Sequence, residues 1–356
     1  MLVQTRIPNQ LSPAGYDQYL MQGWFRGSSL MYKMDMVCMD EDVHSVVNIR
    51  LPLEDFSFRR HHKKLLRKND SCFFVTIGKA RITAEAEALY QMQKKRFRGF
   101  IHNSLSEIFH DGFDASIYPT QQVSVYDGEK LVAVSFFDMG EFALASLLCL
   151  HHPDYLSFSL GIYTILKEIE MAQTSGLRWY YPGYILDHTT LFDYKLGFGN
   201  FEWLDHNHKW SSMSNYLIEN TNGHELRQKL HELSLFFIEQ GIAHSHKIYP
   251  HFVVAYTGHS DKPLLRYPAF LEMKEGFPGK KIISTYDMEL GRMVMMEACV
   301  IEPLSSLIHL DLSDDYSTSC VYCMDLLVVE KVLDQAEMQL LLGCGFGEAI
   351  VPNNEL

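Results

Sequence analysis

Residues 123–138 read Val123-Ser124-Val125-Tyr126-Asp127-Gly128-Glu129-Lys130-Leu131-Val132-Ala133-Val134-Ser135-Phe136-Phe137-Asp138. The first arm alternates apolar and polar residues, the second is almost continuously apolar, and the Asp-Gly pair between them suits a tight hairpin turn. Ala143–Leu150 follows as a third strand, expected to be fully buried. A turn at Pro153-Asp154 leads into a helix over about Ser159–Ser175. Ile162, Ile165, Leu166, Ile169 and Ala172 recur there at 3–4 spacing, Ser157 or Ser159 offers the N-cap, and Gly176 supplies the stop. Trp179-Tyr180-Tyr181 reads as a short strand, Thr189–Leu196 as a small helix and Phe198–Leu204 as a last strand. This order predicts an α/β (α+β) domain on a mixed, mostly antiparallel sheet.

Upstream, Asn48-Ile49-Arg50-Leu51-Pro52-Leu53 is an extended piece that proline limits. Thr83 precedes Ala84–Met92, whose composition and early acids predict a helix running into Lys94, Lys95, Arg96 and Arg98. After about residue 214 the pattern changes. Glu225–Gln240 reads as a helix with Leu226, Leu230, Leu233, Phe236 and Phe237 on one face, Phe252–Tyr256 and Lys281–Tyr286 read as strands, and Met293-Val294-Met295-Met296 reads as core. The expected division is residues 1–115, carrying a basic segment, residues 116–214, carrying the sheet and long helix, and a strand-rich accessory region over residues 215–356.

The chain has 356 residues and a formal charge of -13, with 47% hydrophobic content, so disordered and coiled-coil classes are excluded. Net acidity would argue against a nucleic-acid partner, but the charge is segregated. Between Arg59 and Arg98 stand twelve Lys/Arg and three acids, a local charge of +9 in an otherwise acidic protein. The seven cysteines lie mostly in apolar runs, which fits reduced thiols. Cys320-Val-Tyr-Cys323 is a lone C-x-x-C that would need two further ligands, such as Cys344 and His309, so no metal is expected. Without a signal peptide or an apolar run of ~18 residues, the expectation is a cytoplasmic protein with no membrane partner.

Several stretches, each weak alone, resemble in collinear order the aminoacyl-tRNA:protein transferases, which comprise arginyl-transferring eukaryotic and leucyl-transferring bacterial enzymes. Gly23-Trp24-Phe25-Arg26-Gly27-Ser28 with Tyr32-Lys33 is similar to that family's opening, and Arg50-Leu51-Pro52-Leu53-Glu54-Asp55-Phe56 to its R-I-P-V-x-x-F. The run from Arg59 to Asn69 resembles its S-R-S-Q-R-R-x-x-R-R-N. Asp127–Val134 with Asp138, His152-Pro153-Asp154, Ser159-Leu160-Gly161, Glu168-Ile169-Glu170, Gly183-Tyr184 and Tyr194–Phe198 follow in family order. One thiol, Cys38, stands where the family has paired cysteines. Phe25 replaces a first arginine, Gly27-Ser28 inverts Ser-Gly, and His61-His62 replace Ser-Gln.

The resemblance implies a GNAT-like acyltransferase fold and transfer of an arginyl or leucyl group from aminoacyl-tRNA to a protein N-terminus, one beginning with Asp or Glu. It implies no cofactor beyond the tRNA-borne donor, and no DNA partner. Aminolysis of an activated ester needs a positioned amine, proton removal and oxyanion stabilisation, and no covalent nucleophile. Asp138, Tyr184 and Lys195 are the catalytic candidates on this resemblance. Arg26 and Arg50 are the candidates to hold the acceptor's carboxylate, a task suited to guanidinium. Lys63, Lys64, Arg67, Lys68, Lys94, Lys95 and Arg96 are expected on tRNA phosphates, which position without reading sequence. His61-His62 are weighed as bases, but their cationic neighbours disfavour protonation. Two other readings stand beside this one. An acyl-CoA-dependent N-acyltransferase, taking acetyl-CoA, would require a glycine-rich phosphate loop where the chain has Leu156-Ser157-Phe158-Ser159-Leu160-Gly161, and a degenerate relative would bind RNA without chemistry.

Overall fold

The structure is a computed structural model that describes residues 2–98, 101–109, 117–257, 260–273, 280–301 and 319–342. The chain forms two compact units. One comprises Thr5–Lys33 and Val46–Tyr216, the other Met1–Gln4, Met34–Ser45 and Leu217–Leu356.

The first unit is built on a twisted sheet. Its strands are β1 (Asp42–Pro52, from Val46 on), β2 (Phe74–Lys79), β3 (Thr120–Asp127), β4 (Lys130–Met139), β5 (Ala143–His151), β6 (Trp179–Tyr181), β7 (Glu202–Leu204) and β8 (Trp210–Ser212). They lie in the order β8-β7-β1-β6-β5-β4-β3-β2. Every neighbouring pair is antiparallel except β5 and β6. The Asp127-Gly128 hairpin forms as read, with Gly128 at φ 59, a conformation that glycine adopts without strain. The helices are α1 (Pro13–Met21), α2 (Arg60–Asp70), α3 (Ala84–Gln93) and α4 (Leu160–Thr174). Antiparallel strands, a long helix and one parallel return strand make the mixed, mostly antiparallel arrangement expected from the sequence.

Helix α4 buries Tyr163, Leu166, Ile169 and Ala172 completely, in one core with Val123, Val132, Phe137 and Leu144 of the sheet. Burying such side chains contributes ~1.5–3 kcal/mol each before conformational entropy is charged against it. Ser159 does stand at the N-cap, but in the left-handed region at φ 49, and its hydroxyl makes no capping bond. Helix α3 begins where expected, with the Thr83 hydroxyl accepting the Ala86 N–H at 3.2 Å.

Four local readings differ from the structure. Strand β5 is not fully buried, since Ser146–Cys149 are half-buried where the sheet opens. The small helix after Thr189 is a 3-10 turn displaced to Asp193–Phe198, and the last strand shrinks to Glu202–Leu204. Phe252–Tyr256 is no strand. It lies in a 3-10 turn, Pro250–Tyr256, because Pro250 presets the helical φ at its first position.

The second unit packs α5 (Asn222–Glu239) with an antiparallel meander of β9 (His244–Ile248), β10 (Ala269–Met273), β11 (Lys280–Asp287), β12 (Arg292–Ile301) and β13 (Leu326–Val332). Leu226, Leu230, Leu233 and Phe237 of α5 join Met295 and Met296 in its core, as the apolar spacing implied. Cys323 is buried and Cys320 exposed, whereas Cys344 and His309 lie outside the described residues. No helix among the described residues is long and apolar enough to cross a membrane.

One buried acid sits against the central strands. Glu168 of α4 is completely inaccessible, accepts the Tyr180 hydroxyl at 2.8 Å on Oε2, and leaves Oε1 without a partner. Burial pushes its carboxyl up from 4.5 to about 7, although nearby Ser135, Tyr180 and Ser146 hydroxyls pull the other way. The folded chain therefore holds a proton that the unfolded chain releases first. Glu168 favours folding most below about pH 4.5, and loses that contribution as pH rises through about 7, roughly 3 kcal/mol in all. Denaturant unfolding from pH 5 to 8 should show Glu168→Gln gaining stability relative to the parent as pH rises; a constant difference would refute the assignment.

Candidate active site

Strands β5 and β6 pair for only three residues, Ala143↔Trp179 through Ala145↔Tyr181. Pro182 follows and has no N–H to continue the ladder. Gly183, at φ 93, then turns the chain onto Tyr184–Leu186, which pairs with β1 instead. On the other side of β5 the register slips, so that Phe137 faces Ser146 and Phe136 faces Leu148. Leu147 is the extra residue of that bulge and has no register partner on either neighbour.

A cleft of about 240 Å³ opens where these strands part. Its walls are mostly aromatic, from Tyr16, Trp24, Phe25, Tyr32, Tyr181, Tyr184, Phe192 and Trp210, with Ser146 and Leu147 of β5, Asn48, Arg26 and Lys195. Gly23 belongs to the same wall. It sits at φ 81, and a Cβ there would lie 2.6 Å from the Asn48 amide nitrogen and 2.7 Å from a Leu204 methyl, so only glycine fits.

The structure joins two candidates to each other. Arg26 Nη1 lies 3.0 Å from Asp138 Oδ1 and 3.1 Å from Oδ2, and also donates to Thr120 Oγ1 at 2.7 Å. Its Nε donates to the Ser28 carbonyl and its Nη2 to the Phe109 carbonyl, while Tyr118 stacks 4.0 Å from the guanidinium. Asp138 also accepts the Thr120 and Tyr16 hydroxyls, at 2.7 and 3.3 Å, and is completely buried. Burial pushes its carboxyl up, while Arg26 and the two hydroxyls oppose the shift. Both charges are enclosed, and Asp138 does not line the cleft.

Arg50 is committed in a similar way. Its Nε donates to Glu202 Oε2 at 2.7 Å, and its guanidinium lies between the Trp179 and Trp210 rings at 3.6 and 4.4 Å. Tyr184 and Lys195, by contrast, line the cleft. Lys195 Nζ donates to the Tyr184 carbonyl at 2.8 Å and stands 4.6 Å from the Phe192 ring and 5.5 Å from the Tyr184 ring. Lys195 forms no ion pair among the described residues. Loss of hydration among these rings pushes its ammonium down from 10.5 to about 7.

The basic segment lies elsewhere on the unit. Helix α2 buries His62, Leu66 and Asn69 along one face and exposes Lys63, Lys64 and Arg67, which form no ion pair among the described residues. Lys68 is spent locally on the Ser157 carbonyl and the Phe158 ring, and Lys94 on the Asn103 side chain. Lys95 and Arg96 are exposed on the 3-10 turn that ends α3. His62 stacks on Phe198, and burial first, then His61 and Arg59, pushes it down to about 4.

Several cleft residues carried no warning in the sequence. Ser146, Leu147 and Trp210 enter through the bulge and the strand order. Thr120 and Tyr16 close around Asp138 from far along the chain. Glu168 had a readable signal, an acid on a helix face that otherwise carries Ile165 and Ile169.

Residues 80–205 match the family model described as arginine-tRNA-protein transferase, C terminus. Among curated proteins, the chain is 26% identical over 196 residues to an aspartate/glutamate leucyltransferase of Leptospira interrogans, covering 53% of this chain and 74% of that protein. It is 28% identical over 203 residues to an enzyme of the same name from Helicobacter hepaticus, covering 54% and 80%. Over about half of its length the chain is thus similar to aminoacyl-tRNA:protein transferases. Its likeness to solved structures is loose. A GCN5-related N-acetyltransferase from Anabaena variabilis aligns at TM-score 0.29 and 9% identity, covering 80% of this chain and 59% of that one. The C-terminal domain of a putative lysylphosphatidylglycerol synthetase from Agrobacterium fabrum aligns at TM-score 0.29 and 8% identity, covering 39% and 46%. The matched region of the family model includes Asp138, Tyr184 and Lys195, and Arg26 lies before it.

Removing one member of an enclosed ion pair leaves the other charge buried and unpaired, at a cost of ~3–5 kcal/mol. Arg26→Ala should therefore destabilise this unit by that order in denaturant unfolding, with Arg26→Ala/Asp138→Asn recovering part of the loss. Equal loss in the single and double variants would show that the pair is not coupled.

Proposed function

We propose that this protein transfers a leucyl group from aminoacyl-tRNA to the N-terminal amine of a protein beginning with Asp or Glu. The observation that supports this best is convergence. Gly23 to Arg26, Tyr32, Asn48, Gly183-Tyr184 and Lys195, separated in sequence, all wall one cleft at the parting of β5 and β6.

The cleft's composition bears on the donor. Among its described lining residues there is no carboxylate, and two residues are basic. A buried arginyl guanidinium would have no counter-charge there and would face Lys195, whereas a leucyl side chain is at home among aromatic walls. In the reaction the amine nitrogen bonds to the ester carbonyl carbon, the bond from that carbon to the ribose oxygen breaks, and the proton lost by nitrogen passes to that oxygen. Free α-amines have pKa near ~8, so a useful neutral fraction exists at neutral pH, and the cleft's task is orientation. Backbone N–H groups at the Leu147 bulge are suited to the developing oxyanion. Asp138, enclosed as it is, would act by fixing Arg26 and thus the wall that Tyr16 and Phe25 complete. Exposed Lys63, Lys64 and Arg67 would meet tRNA phosphates, with Lys95 and Arg96.

The acyl-CoA reading finds less support. At the start of α4 the Ser159 N–H is spent on the Leu156 carbonyl, and Gly161 is packed near His151 and Cys149.

Two assays test the proposal. Purified protein given Leu-tRNA or Arg-tRNA and a peptide beginning with Asp should transfer leucine at least about tenfold faster, as a missing counter-charge would demand; a preference for arginine would overturn the donor assignment, and acetyl-CoA turnover without tRNA-dependent transfer would overturn the reaction class. Reversing charge at Lys63, Lys64 and Arg67 together should weaken tRNA binding and flatten the slope of log K against log salt by about 2–3. An unchanged slope would remove α2 from the interface.

A further inference from the structure

The reaction requires the acceptor's acidic side chain to meet a cation, and the obvious choices are already taken. Arg26 spends its guanidinium on Asp138, Thr120 and two carbonyls, and Arg50 spends its own on Glu202 and two indole faces. A carboxylate that reached either would have to displace an enclosed acid. Lys195 differs in each respect. Its Nζ lines the cleft, bonds one backbone carbonyl and forms no ion pair among the described residues.

The surroundings explain why such a cation can be kept there. The Phe192 and Tyr184 rings flank it. Phe25 packs edge-on against Tyr184, 5.3 Å between centroids, and completes the aromatic enclosure. An ammonium held among π faces with one carbonyl acceptor has hydrogen-bonding capacity left over. A carboxylate entering such a weakly hydrated site would gain a stronger electrostatic attraction than at an exposed lysine.

Resting on the transfer reaction proposed above, we infer that Lys195 is the residue that selects an acidic N-terminal side chain on the acceptor, by forming an ion pair with its carboxylate inside the cleft. Arg26 and Arg50 are then positioning residues that shape the walls.

The pairing carries a proton signature. Loss of hydration pushes the Lys195 ammonium down to about 7, and a carboxylate beside it would raise it again. Binding an acidic acceptor above pH 7 therefore takes up a proton, and affinity falls by up to about tenfold per pH unit as pH climbs beyond 7. The other titratable groups lining the cleft among the described residues are the Tyr16, Tyr32, Tyr181 and Tyr184 phenols, all raised by burial, and Arg26, which is paired with Asp138. The phenols, held above their ordinary value of 10, stay protonated between pH 6 and 8.5.

The test compares peptides that differ only in Asp or Asn at the first position, so that the α-amine titrates alike in both. Trp24 and Trp210 line the cleft, and their fluorescence reports binding without tRNA. The parent protein should bind the Asp peptide at least about tenfold more tightly than the Asn peptide at pH 6.5. That ratio should shrink as pH rises to 8.5, and titration calorimetry in buffers of different ionisation enthalpy should show proton uptake for the Asp peptide alone. Lys195→Met, which keeps the stem and removes the charge, should abolish both the preference and the proton uptake. Lys195→Glu should invert the preference toward a peptide beginning with Lys. An Asp/Asn ratio that survives Lys195→Met, or a parent protein with no Asp preference at pH 6.5, overturns the inference. These binding readouts remain valid if the protein transfers nothing, so failure of the transfer reaction is distinguishable from failure of the Lys195 assignment.

Discussion

The parallel pairing of β5 and β6 lasts three residues, and the cleft exists because it stops there. Parallel strands held together along their length would fill this space with backbone hydrogen bonds and side chains. Instead Pro182 removes a donor, Gly183 turns the chain onto β1, and the bulge at Leu147 bends β5 on its other side. Polar backbone that a continuous sheet would consume is left beside a cavity. Such an opening is costly in hydrogen bonds, and the aromatic rings packed around it offset part of that cost by burying apolar surface.

The Arg26–Asp138 pair is the second constraint. It ties the segment after α1 to the end of β4, and with Tyr16, Thr120 and Tyr118 it forms an enclosed network in which almost every polar atom is satisfied. Buried charges of this kind rarely add net stability, but they penalise any other arrangement of the same segments. Their value here is geometric. They hold the Gly23–Gly27 wall opposite Lys195, the one cleft-lining cation that forms no ion pair among the described residues.

The charge distribution follows the same division of labour. Exposed cations stand on α2 and after α3, in a chain whose remainder is acidic. The cleft itself is lined by rings, two basic residues and no described carboxylate. On the proposed function, attraction of a nucleic acid and selection of small groups at its end would be carried by different residues. The second unit has its own core.

The sequence by itself determined the hairpin at Asp127-Gly128, the long amphipathic helix after it, α3 with its Thr83 cap and the basic face of α2, because each depends on neighbours a few residues apart. It also brought Arg26, Arg50, Asp138, Tyr184 and Lys195 into view as chemistry-bearing positions. Only the tertiary structure decided how those five divide. Arg26 meets Asp138 across 112 positions, and Arg50 meets Glu202 across 152, so neither spacing nor composition could show that their charges are spent. The misread strand at Phe252–Tyr256 has the same origin, since β-branched residues suit a strand until Pro250 and burial of Phe252 and Val254 bend them into a turn. Local periodicity reports what a segment can form. Which cation remains available depends on long-range pairing, and that is settled only when the strands part.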